Sequence, residues 1–167
     1  MKNFGRKISM YSALLTFFLL TMFVNVSKAM DPEEAQAYSN FITTLIYDIE
    51  FDRKGNFCIL GNDDIAKDLS IKFPNALKLE ENTFSNNYTS CSAIYISQGS
   101  ERGLRVELEK ITQSKIVTIA IFEGFTNIGG TLQIQIGRRN FEIIASSKLL
   151  KTSGAKLGVL TTNLTIN

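Results

Sequence analysis

Lys115-Ile116-Val117-Thr118-Ile119-Ala120-Ile121-Phe122 is the stretch on which the fold turns. From Ile116 to Phe122 only Thr118 is polar. A strand with one wet face would alternate; a run that is apolar on both faces fits a central parallel strand covered by helices. Upstream, Asn56 to Leu60 and Ala93 to Ile96 are shorter apolar runs closed by Gly61 and by Gln98-Gly99, and both read as buried strands. Ala76 to Leu79 reads as a weaker one.

Between these runs the apolar period changes to that of a helix. Ala35, Tyr38, Ile42, Leu45, Ile46 and Ile49 recur at helical spacing. Asp31 can cap that helix, Pro32 suits its first position, and Glu33 and Glu34 suit its positive end. It should stop before Lys54-Gly55. Asn62-Asp63-Asp64 can cap a second helix through Ile65, Ala66, Leu69 and Phe73, ended by Pro74. Ser100 can cap a third, with the stripe Leu104, Leu108 and Ile111, and Arg105 and Glu109 can pair on its outer face. Helix and strand thus alternate over the first two-thirds, which predicts an α/β fold with a mostly parallel open sheet flanked by helices. Glu81 to Ser90, polar and Asn-rich, reads as a surface loop.

The last third differs. In Thr131-Leu132-Gln133-Ile134-Gln135-Ile136 apolar and polar residues alternate, and Phe141-Glu142-Ile143 follows the turn Gly137-Arg138-Arg139-Asn140. This predicts an antiparallel hairpin with one wet face, at a sheet edge or as an annex. Ala145 to Lys151 reads as a helix ended by Gly154. Lys156 to Leu164 fits strand or helix.

Residues 1–29 belong to a different category. Lys2, Arg6 and Lys7 precede an apolar stretch from Tyr11 to Val26, and Ser27-Lys28-Ala29 places small residues before Met30. That is the pattern of a cleaved secretory signal peptide, with an uncleaved anchor as the alternative. The expected organisation is a signal peptide over 1–29 and one α/β domain over 30–167. All 16 acidic residues lie after position 29, against 14 of the 18 basic ones, so the exported part is net −2. The precursor's basic balance therefore gives no reason to expect nucleic acid, and membrane contact is expected only through the signal peptide.

The chain has no His, which excludes Ser-His-Asp and Cys-His hydrolysis and His-ligated zinc or haem. No carboxylate pair is placed for acid and base work, no metal or cofactor is expected, and an enzyme is disfavoured. Asp63, Asp64 and Asp68 fit no calcium loop and read as a solvated helix cap. Cys58 and Cys91 are an even pair in an exported chain, which suggests one disulfide. Two buried thiols are the other reading.

Candidate contact residues follow the strongest strand. Glu123 stands at its carboxyl end, where open α/β sheets bind ligands, or is an exposed loop acid. Phe125 and Ile128 either fold back onto the core or form a contact patch. Gly129-Gly130 lets the chain turn sharply. Arg138 and Arg139 read equally as contacts or as a charged hairpin turn.

Several of these segments, in order, are similar to the YfiR-like family of exported bacterial proteins. They are Phe57-Cys58-Ile59-Leu60-Gly61-Asn62-Asp63, Ser90-Cys91-Ser92-Ala93-Ile94-Tyr95-Ile96-Ser97, Lys115 to Phe122 leading into Glu123-Gly124-Phe125 and Gly129-Gly130, and Phe141-Glu142-Ile143 with Ser146-Ser147-Lys148-Leu149-Leu150. The chain departs from the family at Tyr47-Asp48-Ile49-Glu50-Phe51, where a Trp-Pro step is usual, and at Ile144, where Asn is usual. The resemblance implies a periplasmic, non-enzymatic regulator that restrains an inner-membrane diguanylate cyclase by binding its periplasmic domain, with a homodimer as a further expectation. Glu123, Phe125, Ile128, Arg138 and Arg139 are the expected partner contacts. Cys58 and Cys91 match the family's cysteines and would tie inhibition to redox state. The alternative function is a small periplasmic ligand-binding domain with a pocket near Gly61, Ser97 and Glu123.

Overall fold

The computed structural model describes residues 30–80, 88–97, 101–138, 140–158 and 164–166. The expected signal peptide, the Asn-rich stretch 81–87, Ser100 and Arg139 lie outside them. Among the described residues no helix is long and apolar enough to cross a membrane.

Helix α1 spans Pro32–Asp48; Asp31 caps it by accepting from the Glu33 N–H, and Pro32 opens it. Strands β1 (Ile49–Glu50) and β2 (Asn56–Leu60) follow, then α2 (Asp64–Lys72) and β3 (Leu77–Leu79). After them come β4 (Cys91–Ile96), α3 (Glu101–Gln113) and β5 (Val117–Ala120). The chain closes with β6 (Leu132–Ile136), β7 (Phe141–Ala145), α4 (Ser147–Ser153), β8 (Lys156–Leu157) and β9 (Leu164–Ile166). The expected α/β fold is the one observed. The main sheet runs β3-β2-β4-β5-β6-β7-β9, parallel except at the β6–β7 hairpin.

Strand β5 sits between β4 and β6 and is buried along its whole length. This is what its two-faced apolar sequence requires. On one face Cys58, Leu60, Ile94, Ile96 and Ala120 pack with Leu104, Leu108 and Ile111 of α3. The residues of opposite parity, such as Ile59, Tyr95, Ile119 and Ile134, are also buried. The alternation of β-strand side chains puts them on the other face. There α1 supplies Tyr38, whose ring meets Phe141 of β7 edge-on at 5.1 Å, and Phe41, which stacks on Phe141 at 4.6 Å.

Three features differ from expectation. Helix α1 ends at Asp48, and Ile49 and Glu50 pair with Leu157 and Lys156 in a separate two-stranded ribbon. A partner so distant in sequence leaves no local signal. The hairpin is not the sheet's edge, because β9 adds in parallel to Ile143, Ile144 and Ala145. The Arg105–Glu109 pair is not formed; Lys110 on α3 pairs instead with Glu107, at 2.9 Å.

Cys58 and Cys91 form a disulfide with Cα atoms 5.9 Å apart, both fully buried. It ties two neighbouring parallel strands, β2 and β4, on the α3 face.

Candidate functional site

The loop from 121 to 131 carries the chain from the carboxyl end of β5 to β6. It has to reverse direction within a few residues. Gly124 and Gly129 do this at φ +79° and +110°, where a side chain would be strained, and a 3-10 turn over Phe125–Ile128 lies between them. Gly130 is required for space: a Cβ there would come within 2.3 Å of the Phe125 ring.

Phe125 is 0% exposed, lies in the α3-face core and meets Phe122 at 5.0 Å, edge-on. The structure therefore corrects its assignment as a partner contact. Burying its large apolar ring outweighs presenting it, so it anchors the loop from beneath. Ile128 is half-buried against the same core and leaves part of its side chain accessible. Glu123 is exposed. Arg138 is exposed on the hairpin turn, which the Gly137 N–H closes by donating to the Asn140 carbonyl at 2.9 Å.

Among the described residues the hairpin extends past the pairing of β5. Ala120, the end of β5, pairs with Gln133, so Ile134, Gln135 and Ile136 continue past it; the described part of β9 pairs with Ile143, Ile144 and Ala145. The overhang is about 10 Å of two-stranded ribbon. The Phe141 stack supports one side. On the other runs a line of polar side chains: the Phe125 N–H donates to Gln133 Oε1 at 3.0 Å, Gln133 Nε2 to Gln135 Oε1 at 3.4 Å, and Gln135 Nε2 to Glu142 Oε2 at 3.1 Å. Sequence alternation placed Gln133 and Gln135 on one face, but it offered no sign that Gln133 would be buried and bonded to the loop.

The crevice between β2 and β4, where open α/β sheets usually take ligands, is filled at the residues described. The Ser97 hydroxyl donates to the Leu60 carbonyl, and a Cβ on Gly61 would lie 1.4 Å from Ser97 Oγ. Tyr95, fully buried, donates to Asp63 at 3.0 Å. Burial raises the Asp63 carboxyl above its ordinary value, against the bonds from the Ala66 N–H and Tyr95. Burial and the Asp63 charge also push the Tyr95 phenol upward. Asp64 instead pairs with Lys67, and Asp68 bonds to Lys72 and Ser39, so the three aspartates do not converge.

An open groove of about 560 Å³ lies between α3, the 3-10 turn and α4. Arg105, Glu109, Asn127, Ile128, Lys148 and Thr152 are among its lining. Of the expected contact residues it contains only Ile128. Among the described residues no three His, Cys, Asp or Glu side chains gather as metal ligands.

No curated protein matches the chain. Several solved structures share its fold. A conserved domain protein from Vibrio cholerae O1 biovar El Tor has a TM-score of 0.52 at 8% identity, covering 79% of this chain and 59% of its own. The ABC domain in complex with L-Trp from Streptococcus pneumoniae has a TM-score of 0.52 at 11% identity, covering 80% and 60%. The chain thus spans about six-tenths of either protein, and at such identities the likeness concerns fold alone. The family model described as DUF4154, YfiR/HmsC-like, matches residues 47–159. That segment runs from the end of α1 through β8 and holds both cysteines, the β5–β6 loop and the hairpin. The chain is a member of the YfiR/HmsC-like family.

Proposed function

We propose that the chain is an exported regulator that restrains a membrane diguanylate cyclase by binding its periplasmic domain. Membership of the YfiR/HmsC-like family is the observation that carries this reading, since the family is one of periplasmic regulators of such signalling. The geometry is consistent with it. The potential contacts Glu123, Ile128 and Arg138 are accessible on a loop and a ribbon that buried residues hold in place. Rigid presentation keeps down the ordering cost of association.

A regulator of this type works by binding free energy alone. It must prefer the receptor's inactive state, because equal affinity for both states shifts nothing. Cys58–Cys91 acts on this function through stability of the sheet: it is fully buried and remote from the accessible contacts in the topology. The test is intracellular cyclic-di-GMP. Deleting the gene should raise it, and restoring the chain with residues 1–29 intact should lower it again. Restoration by a version lacking residues 1–29 would refute export, and unchanged cyclic-di-GMP in the deletion would refute the regulatory reading.

A further inference from the structure

We infer that the β5–β6 loop and the hairpin turn form one coupled contact surface, locked together by the side chains of Gln133, Gln135 and Glu142. This rests on the reading above that both segments meet the receptor's outer domain. The two are separate in sequence and sit on different strand connections. Independent mobility would present two weak patches and add the cost of ordering each on binding.

The structure supplies the link. Gln133 is 3% exposed, and a buried amide is costly unless bonded. Its Oε1 takes the Phe125 N–H, which starts the 3-10 turn between Glu123 and Ile128. Its Nε2 reaches Gln135, and Gln135 reaches Glu142, the direct cross-strand partner of Gln135. Glu142 in turn packs on Gly137 at the hairpin turn: a Cβ on Gly137 would lie 2.3 Å from its Oε1. The line therefore runs from the loop backbone to the turn carrying Arg138. Gln133 and Gln135 are positioning residues, acting through the backbone they hold.

The surface so formed carries Glu123 and Arg138, of opposite charge, with the half-buried Ile128 as its apolar part. Its occupant is the receptor's outer domain. The complementary face would carry a base opposite Glu123, an acid opposite Arg138, and apolar side chains between.

The exported chain is labelled with ¹⁵N and amide exchange is followed at Phe125 and Gly137 in wild type and in Gln133→Leu, Glu142→Ala and Glu142→Gln. Loss of the direct bond in Gln133→Leu should speed Phe125 exchange roughly tenfold. Glu142→Ala, two residue positions down the ribbon, should speed it roughly threefold, with thermal stability near wild type. Glu142→Gln retains an acceptor and should restore it. Phe125 exchange unaltered in Glu142→Ala, or equally fast in Glu142→Gln, overturns the coupling. In parallel, Glu142→Ala should weaken capture of the cyclase's outer domain several-fold. A wild-type chain that fails to capture it refutes the receptor reading and leaves the exchange result to judge the coupling by itself.

Discussion

Replacing both Cys58 and Cys91 by alanine should cost a large share of the molecule's reserve of stability. The bridge joins residues 33 apart in sequence. In the loop-entropy account, closing such a loop removes about 3.8 kcal/mol of unfolded-state freedom at 25 °C. Domains of this kind are stable by only ~5–15 kcal/mol. For the compact unit Asp31–Asn167, with an unfolding entropy of about 2.1 cal/mol/K per residue, the loss corresponds to a melting temperature lower by ~13 °C. Differential scanning calorimetry of the wild type and the double variant measures it. Because both sulfurs are fully buried, a mild reductant should leave the folded wild type oxidised and lower its stability only after unfolding exposes the bridge. A difference below ~3 °C, or rapid reduction of the native protein, would refute the reasoning. The first result would mean that the unfolded chain is already compact, the second that the β2–β4 edge opens readily.

Other perturbations separate residues that hold the fold from residues that meet a partner. Phe125→Ala should destabilise by ~3–5 kcal/mol in urea unfolding, while Glu123→Ala and Arg138→Ala should stay within about 0.5 kcal/mol of wild type. Tyr95→Phe removes the donor to Asp63; it should cost ~2 kcal/mol and raise the Asp63 carboxyl further, as read by carboxyl NMR titration. Asp68 responds to pH in the opposite sense to Asp63. Bonds from Lys72 and Ser39 lower its carboxyl, so its contribution is present above the unfolded value near pH 4 and is lost as pH falls through the lower folded value. Asp68→Asn should flatten that acid limb in a pH series of melting temperatures. Asp63, raised by burial, gives stability that grows as pH falls through its folded value, and Asp63→Asn should remove that term.

Much of the fold was legible because its signals are local. Asp31 and Asp63 cap the helices their sequences announce, and Ile116 to Phe122 lacks the polar alternation of an exposed strand. The paired residues 49–50 and 156–157 were not legible, since two-residue strands carry no period and their partners lie some hundred positions apart. At the candidate site, the sharp turn at Gly129-Gly130 was legible, and Gly129 takes φ +110°, whereas the same need at Gly124 was not read. The two readings of Phe125 could be decided only by what lies above and below the loop. Its place in the core depends on α3 and on the space left by Gly130, which no neighbouring residue in sequence specifies. The line from Gln133 to Glu142 was hidden for a related reason: alternation gives the face of a side chain, while burial and bonding depend on which loop covers that face.

The most direct test of the central claim is site-specific photocrosslinking in intact cells. A photoreactive residue is placed at Ile128 or Arg138, with Val106, 57% exposed on α3, as the control position. The account predicts that Ile128 and Arg138, but not Val106, give an adduct with a membrane protein that carries a diguanylate cyclase domain. Adducts only with cytosolic proteins, or equal labelling of that receptor from all three positions, would contradict it.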